Sequence, residues 1–319
     1  MNFFKIYGKM VLNEKESARE KVDMSGILLL DKGEGITSQG AVTRVKRLFG
    51  ESKVGHTGTL DPMATGLLPI LLGRAVKASE FLLSSHKHYE ATLRLGLTTD
   101  TEDITGTVLT AADALPSEDT VLKALEGFRG QIWQTPPMYS ALKVGGKKLV
   151  DLARAGVVID RAPREITVYR LEAEKLSESD YRLDVICSKG TYIRTLCADI
   201  GAALGVGGVM AALRRVEAGG FSLSDAYTLE QLEAMNPEER QETLLPVERI
   251  FESCEKITLP PFFARLLRCG AAVSQKKLGL GLPIGTRLRL YDKAGFFAVA
   301  EIVICEDEPA VKPIRQFDI

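Results

Sequence analysis

The chain has 319 residues, of which 45% are hydrophobic and 26% charged, and its formal net charge is −1. This composition is typical of a soluble globular protein of about two domains, without a uniformly basic surface. Five cysteines with no CxxC pair argue against a disulfide framework or a structural zinc site, and no apolar run is long enough to cross a bilayer. Because the first residues also lack a signal-peptide pattern, we expect a cytoplasmic protein.

The N-terminal part divides into a charged segment and the first folded elements. Residues 1–23 mix acidic and basic side chains without periodicity, which indicates either a disordered extension or an upstream start codon, with Met24 as the working N-terminus. The apolar run at 26–32 predicts a buried strand. Either Thr37 or Ser38 then caps a predicted helix whose apolar residues recur at helical spacing.

The next stretch, residues 55–66, reads GHTGTLDPMATG and concentrates glycine, threonine and proline between two apolar segments. Glycine permits backbone conformations that other residues avoid, and the proline after Asp61 restricts that residue to extended or turn geometry. We therefore predict a rigid loop that holds one carboxylate in a set place. The alternative is that His56 and Asp61 only tie a tight turn, because aspartate, glycine and threonine are common turn formers.

Strand and helix patterns alternate in the segments that follow. Residues 67–72 predict a second apolar strand, and residues 73–83 predict a helix. Residues 88–96 alternate with a period of two, which places Tyr89 on the buried face, where its simplest interpretation is a core aromatic residue. The polar residues 98–107 predict a loop or hairpin.

Residues 131–170 are the least regular part of the chain, and they carry a local excess of positive charge. Between Tyr139 and Arg170 there are seven basic residues and three acidic ones. The basic residues are Lys143, Lys147, Lys148, Arg154, Arg161, Arg164 and Arg170. Such a run is often only a solvated face, but on a near-neutral chain it also suits a protein that grips one phosphate backbone.

The second half of the chain contains two further distinctive stretches. Residues 187–201 read CSKGTYIRTLCADIG and predict the end of a strand, a turn and the start of a helix. Residues 211–215 read AALRR. Beyond the Leu-Pro-Pro sequence at 259–261, which marks a boundary, alternating apolar residues predict a small and mostly β unit.

Together, the stretches at 55–66, 187–201 and 211–215 make the chain resemble the TruB-type tRNA pseudouridine synthases. The resemblance covers about residues 26–317. It implies an α+β fold with a central, mostly antiparallel sheet flanked by helices and loops, followed by a small C-terminal β-rich domain.

The resemblance also implies a division into domains. Residues 1–23 would be an N-terminal extension, and residues 24–250 the catalytic domain. An RNA-gripping insertion would occupy about residues 131–165 of that domain. Residues 251–319 would form a PUA-like RNA-binding domain.

Roles for single residues follow from the same resemblance. It makes Asp61 the carboxylate that starts the reaction, Arg194 its ion-pair partner, and Tyr89 the ring that stacks on the uracil and a candidate base. His56 would fill the gap left by a flipped base, and Ile193 would supply an apolar wall. The other RNA-binding residues that it implies are Tyr192, Leu213, Lys143, Lys147 and Lys148. Lys32 and Lys77 are further candidates for contact with phosphate, and the alternative is that both are ordinary surface lysines.

At two places the chain departs from the pattern of the family. Gly33 follows Lys32 where the family usually has proline, so we expect a looser turn. Residues 207–210 read GGVM where the family commonly has Ala-His, so no role is carried over for that histidine.

The family's reaction isomerises the T-loop uridine at position 55 of tRNA to pseudouridine and needs no cofactor. We therefore expect tRNA as the partner, no obligate protein partner, no membrane and a monomer. The alternatives are a non-catalytic tRNA-binding or tRNA-folding module and a guide-RNA-dependent relative. A metal-dependent hydrolase built on His56, His86, His88 and Asp61 is more remote, because no further ligand has matching spacing.

Overall fold

The computed structural model describes residues 24–317, so the expectation for residues 1–23 lies outside the described part. Helices and strands are mixed throughout, which confirms the predicted α+β class. Within the described residues, no helix is long and apolar enough to cross a membrane.

The strands are β1 (Gly26–Lys32), β2 (Val54–His56), β3 (Thr65–Leu72), β4 (Lys87–Leu95), β5 (Leu97–Thr99), β6 (Val108–Ala111), β7 (Gly130–Gln134), β8 (Lys143–Val144), β9 (Lys147–Lys148), β10 (Arg164–Lys175), β11 (Asp180–Cys187), β12 (Gly208–Ala218), β13 (Phe221–Ser222), β14 (Glu255–Thr258), β15 (Val273–Ser274), β16 (Arg287–Asp292), β17 (Gly295–Cys305) and β18 (Glu308–Gln316). The α-helices are α1 (Ser38–Phe49), α2 (Ser79–Leu83), α3 (Glu118–Leu125), α4 (Leu149–Arg154), α5 (Ile193–Ala203), α6 (Leu229–Ala234), α7 (Pro237–Glu242) and α8 (Pro261–Arg268). The helix predicted over 73–83 is divided, because its first six residues form a 3₁₀ turn and only α2 is α-helical.

A large sheet with the strand order β1-β3-β12-β4-β11-β10-β7 forms the centre of the molecule, with β2 added beside β3 and β13 beside β12. Among the described strands of this sheet, β3 and β12 run parallel and every other neighbouring pair is antiparallel. The mostly antiparallel sheet predicted from the sequence is therefore confirmed.

The central strands β1 and β3 are apolar without interruption because both of their faces are covered. In β1, Leu28 and Leu30 belong to the main core, whereas Ile27 and Leu29 belong to a second core on the other face. Strands that are buried on both sides have this continuous apolar pattern instead of alternation. Strand β4 does alternate, and its buried residues, which include Tyr89, face the main core.

The C-terminal region packs on the second core. Its sheet has the order β14-β16-β17-β18-β15 and a core of its own. Tyr291 on β16, Phe296 on β17 and Phe317 just after β18 belong to the second core. Ile27 and Leu67 of the central sheet are in the same core. The C-terminal region is thereby attached to the central sheet through buried apolar side chains.

The segment between β7 and β10 contains a small hairpin and a short helix. Strands β8 and β9 pair across Gly145 and Gly146, which both have positive φ, as a two-residue hairpin turn requires. Helix α4 follows, and its Leu149 is buried. The segment predicted as irregular thus has local structure, with its lysines exposed on the hairpin. The residues predicted as a loop or hairpin at 98–107 connect β5 and β6, which form another hairpin.

Candidate active site around Asp61

The loop between β2 and β3 carries Asp61 and is held at several points. The Ala64 N–H donates to the Asp61 carbonyl at 3.1 Å, which closes a tight turn across Pro62. The buried Ser38 hydroxyl donates to the Leu60 carbonyl and accepts from the Leu60 N–H, both at 2.9 Å. Helix α1 therefore fixes the residue immediately before Asp61.

The Arg215 side chain connects the start of this loop to strand β3. Its Nε donates to the Leu67 carbonyl at 2.7 Å, and its Nη2 donates to the Gly58 carbonyl at 3.0 Å. At Gly66 (φ 99°), an added Cβ would lie 2.3 Å from the Arg215 carbonyl oxygen, so this position needs glycine. The sequence placed Arg215 in a distinctive stretch but gave it no role.

Lys32, a candidate for a phosphate contact, lies inside the protein in this structure, and that contact stays a prediction. Its side chain is fully buried, and its Nζ donates to the carbonyls of Gly33, Ile36 and Pro62 at 2.8, 2.9 and 3.3 Å. All three ammonium hydrogens are thereby occupied. Burial lowers the pKa of Lys32 to about 8. Lys32 braces the turn that follows Asp61, because it holds the Pro62 carbonyl.

Asp61 and Arg194 form an ion pair with two contacts. Arg194 Nε lies 2.9 Å from Asp61 Oδ2, and Arg194 Nη2 donates to Asp61 Oδ1 at 3.3 Å. The Asp61 side chain is 34% exposed, whereas that of Arg194 is 6% exposed. The carboxylate therefore faces an opening from which the guanidinium is shielded.

Arg194 is held by further acceptors behind this pair. Its Nη1 donates to the Thr101 carbonyl at 3.1 Å, and its Nη2 donates to the Tyr139 carbonyl at 2.8 Å. Asp103 Oδ2 lies 3.9 Å from Nη1. These acceptors come from the β5–β6 connection and from the segment after β7, so the orientation of Arg194 depends on two distant parts of the chain.

Burial and the Arg194 charge shift the pKa of the Asp61 carboxyl in opposite directions. Burial raises the pKa of its carboxyl, the Arg194 guanidinium opposes this, and the Asp103 carboxylate adds to the increase in pKa. An opposite charge in contact favours the ionised form of a carboxyl group. Arg194 thus keeps Asp61 available as a carboxylate at a partly desolvated position.

The side chains that the resemblance assigns to the base pocket belong to the same core cluster as Leu60, the residue before Asp61. Tyr89 on β4 and Leu213 on β12 are each 8% exposed, and Ile193 begins α5 beside Arg194. A cleft of about 400 Å³ borders the loop at Met63 and Thr65 and reaches Leu213. Burial raises the pKa of the Tyr89 hydroxyl. The phenol is therefore a neutral group at neutral pH.

His56 lies on β2 at the start of the loop and is partly buried. Within the described residues its Nδ1 has no hydrogen-bond partner. Burial, with a smaller contribution from the Arg215 charge, lowers the pKa of the imidazole. His56 is therefore an uncharged flat ring at neutral pH, which suits stacking against a nucleobase.

The two other histidines do not join His56. His86 is exposed, and His88 Nε2 lies 3.1 Å from Asp184 Oδ1 on the neighbouring strand β11. Across residues 24–317, no group of three or more His, Cys, Asp or Glu side chains could hold a metal ion. The structure thus does not bring together the ligand set of the remote hydrolase alternative.

The other residues with predicted RNA contacts lie at three different places. Tyr192 precedes α5 and is partly exposed, two residues before Arg194. Lys77 is exposed, and its Nζ donates to the Gln316 carbonyl at 3.3 Å, so it joins the first half of the chain to β18. The remaining three, Lys143, Lys147 and Lys148, are exposed on the β8–β9 hairpin.

Comparison with known proteins identifies the family to which this chain is similar. The model of the N-terminal domain of TruB family pseudouridylate synthases matches residues 46–193, and the C-terminal domain model of tRNA pseudouridylate synthase B matches residues 194–252. The tRNA pseudouridine synthase B of Aromatoleum aromaticum is 42% identical over 301 residues, which cover 94% of this chain and 95% of that protein. The protein of the same name from Nitrosospira multiformis is 46% identical over 295 residues, which cover 90% and 94%.

The chain belongs to the TruB family of pseudouridylate synthases. It is therefore a pseudouridine synthase, an isomerase, and the resemblance predicted from its sequence is confirmed. A chain of a crystallised Cbf5-Nop10-Gar1 complex is similar at 26% identity, with a TM-score of 0.70 over 93% of this chain and 86% of that one. A chain of an H/ACA RNP bound to a substrate RNA containing 2′-deoxyuridine shares the fold, at 23% identity and a TM-score of 0.68 over 93% and 86%.

This TruB family member also has a buried acid, Asp103, and a partly buried one, Glu102, that the sequence did not single out. The Asp103 carboxylate accepts from Thr101 Oγ1 at 2.8 Å and from Thr105 Oγ1 at 2.6 Å, and it faces Arg194. Glu102 Oε2 accepts from Thr195 Oγ1 at 2.6 Å. Two consecutive acids within a threonine-rich hairpin were the available signal, but surface acids in a turn have the same pattern.

Asp199 on α5 gives a pH-dependent prediction for this TruB family member. Burial, and then the Glu102 charge, raises the pKa of Asp199 to about 6. Between pH 4 and 6, Asp199 binds more protons in the folded state than in the unfolded chain. The free energy of unfolding therefore decreases as the pH rises through this range. We expect Asp199→Asn to remove that decrease and to be about 1–2 kcal/mol more stable than wild type at pH 7, with little difference at pH 4.

Urea denaturation of wild type and Asp199→Asn at pH 4, 5, 6 and 7 measures this difference. Asp119→Asn, which changes an exposed carboxylate on α3, is the control and should show no comparable trend. A stability difference between wild type and Asp199→Asn that stays constant over this range would contradict the assignment.

Proposed function

We propose that the protein isomerises the uridine at position 55 in the T-loop of tRNA to pseudouridine, and that Asp61 starts the reaction. The observation that carries the proposal is the partly exposed Asp61 carboxylate in a two-contact ion pair with the buried Arg194. The relatives named tRNA pseudouridine synthase B, which match over most of the chain, support the choice of tRNA as substrate.

The reaction rearranges one nucleotide. The glycosidic bond between C1′ and N1 breaks, the uracil turns, and a new bond forms between C1′ and C5. The C5 hydrogen is lost as a proton, and N1 gains one, so the atoms balance without an oxidant or an external acceptor. Asp61 can begin this sequence by attacking the ribose, by attacking the base or by removing a proton, and each of these requires its ionised form. Arg194 favours that form.

The uridine must leave the stacked T-loop to reach Asp61, and extraction costs a few kcal/mol of stacking and pairing. The uncharged ring of His56 would fill the gap that the base leaves. Tyr89 would stack on the extracted uracil, with Leu213 and Ile193 as apolar walls. The low exposure of Tyr89, Leu213 and Ile193 supports a dry pocket for the base.

The β8–β9 hairpin and the C-terminal region would hold the rest of the RNA. Lys143, Lys147 and Lys148 concentrate charge on an exposed hairpin, which suits contact with a phosphate backbone. We also propose that the C-terminal sheet is a PUA-like RNA-binding domain. The aromatic residues of this region complete the second core, so its deletion would expose that core. The effect of such a deletion on tRNA binding would therefore not measure RNA contacts alone.

Replacement of the three hairpin lysines by glutamine should weaken tRNA binding and lower the slope of log affinity against log salt by about 2. The single-turnover rate at saturating enzyme should stay within about twofold of wild type, because the hairpin does not touch Asp61. Filter binding at several salt concentrations measures the slope. The matched triple arginine variant keeps the charge and should bind like wild type, and an unchanged slope in the glutamine variant would rule out phosphate contacts by the hairpin.

A direct assay mixes the purified protein with unmodified tRNA transcript. Neither guide RNA nor a metal ion is added. Pseudouridine is then located by base-specific chemical derivatisation and primer extension. We expect product at position 55. Binding without product would favour the non-catalytic tRNA-binding module, and product only after addition of guide RNA would favour the guide-dependent alternative.

A further inference from the structure

Gln134, the last residue of β7, binds the backbone of a single distant residue with both ends of its side chain. Its Oε1 accepts from the Tyr192 N–H at 2.8 Å, and its Nε2 donates to the Tyr192 carbonyl at 3.0 Å. The side chain is nearly fully buried, since Gln134 is 2% exposed. A buried amide with a donor and an acceptor both satisfied by one residue fixes the position of that residue closely.

Tyr192 is the N-cap of α5, and its backbone is extended there. No side chain within the first turn caps this helix, although the first N–H groups of a helix need partners outside its own ladder. The Tyr192 carbonyl also accepts from the Leu196 N–H at 3.0 Å, as the first hydrogen bond of the helix. Gln134 therefore fixes the start of α5, and Arg194 lies on its first turn.

The chain that leaves Gln134 returns to Arg194 within five residues. The Tyr139 carbonyl accepts from Arg194 Nη2 at 2.8 Å, and Arg161 Nη1 holds the Pro136 carbonyl at 3.1 Å. Both ends of the segment that carries the basic hairpin are thus connected to the surroundings of Arg194. The start of this segment therefore supplies one of the carbonyls that hold the guanidinium paired with Asp61.

We propose that Gln134 is a positioning residue: by its two bonds to Tyr192 it aligns Arg194 with Asp61. This inference rests on the proposed role of Asp61 but adds a residue that touches neither Asp61 nor Arg194 in the hydrogen bonds described above. Misplacement of reacting groups by about 1 Å can cost about 100-fold in rate.

Gln134→Met keeps the length of the side chain and removes both hydrogen bonds. We expect its single-turnover rate at saturating enzyme to fall about 10- to 100-fold, while the tRNA dissociation constant changes less than about threefold. The acid limb of the pH–rate profile should move to higher pH, because a misaligned guanidinium opposes the effect of burial on Asp61 less well. A role in stability alone would lower the melting temperature and leave the pH–rate profile of the folded enzyme unchanged.

Gln241→Met is the matched control, since Gln241 is exposed on α7 and lies outside the 131–165 segment, and it should behave like wild type. Gln134→Glu retains the acceptor for the Tyr192 N–H and should fall between wild type and Gln134→Met; it replaces the methionine variant if that fails to fold. A crystal structure of the variant without RNA tests the alignment independently of tRNA. A lengthened Arg194–Asp61 contact supports the proposal even if position 55 is not the target.

A wild-type rate with an unchanged pH profile in a folded Gln134→Met or Gln134→Glu variant would overturn the positioning role. An Arg194–Asp61 distance still near 2.9 Å in the variant crystal would overturn it as well. Absence of pseudouridine with the wild-type enzyme would instead refute the proposed function, so the two failures are distinguishable.

Discussion

Asp61→Asn should fold and bind tRNA almost as wild type does, while its rate of pseudouridine formation falls about 10⁴-fold or more. The carboxamide has nearly the same shape as the carboxylate and can still accept from Arg194, so the loop between β2 and β3 should persist. The nucleophilic or basic carboxylate, however, is lost. Single-turnover assays with enzyme in excess measure the rate, and filter binding measures the affinity.

Asp119→Asn makes the same chemical change at an exposed site on α3 and is the control for this experiment. It should retain the wild-type rate. Conversion by purified Asp61→Asn at a rate within about tenfold of wild type would mean that another group starts the reaction. Loss of tRNA binding together with the rate would mean that Asp61 organises the RNA site instead.

Arg194→Met should have the second largest effect. It leaves a desolvated carboxylate at Asp61 and removes the donor to the Thr101 and Tyr139 carbonyls. Breaking a fully buried ion pair from one side costs about 3–5 kcal/mol of stability, and we expect a smaller loss here because Asp61 is partly exposed to solvent. The rate should fall at least about 100-fold at neutral pH, and the acid limb of the pH–rate profile should move to higher pH because the pKa of Asp61 rises further.

Arg194→Lys separates charge from geometry, since lysine keeps the charge but not the planar fork that contacts both carboxylate oxygens. Its stability and pH profile should lie between those of wild type and Arg194→Met. Arg44→Met, at an exposed arginine on α1, is the control. Denaturation curves and pH–rate profiles for the four proteins provide the measurements, and an unchanged acid limb in Arg194→Met would show that Arg194 does not set the ionisation of Asp61.

Local patterns were sufficient for much of the fold. The alternation in β4 and the continuous apolar run of β1 each follow from which faces are covered, so periodicity revealed both. Thr37 caps α1 by accepting from the Gly40 N–H, as one of the two predicted caps. Periodicity could not show that the C-terminal region completes a core against Ile27, because that contact depends on tertiary packing.

Site residues were harder to predict where their role depends on burial. Nothing in the local sequence distinguishes Lys32 from a surface lysine. Only the three backbone carbonyls around its ammonium group show that it holds the neighbouring turns together. Arg215 is fully buried, and its acceptors Gly58 and Leu67 lie about 150 residues away along the chain. Gln134 was likewise an unremarked residue before two prolines, since its partner Tyr192 is brought near only by the sheet.

The most direct test of the central claim is a crystal structure of the Asp61→Asn variant bound to a T-arm RNA with uridine at position 55. The decisive measurement is the distance from the residue 61 side chain to the nearest atom of nucleotide 55. We predict that the nucleotide is out of the stack, with its ribose or base within about 3–4 Å of that side chain. Nucleotide 55 still stacked in the loop, with residue 61 facing solvent, would contradict the account.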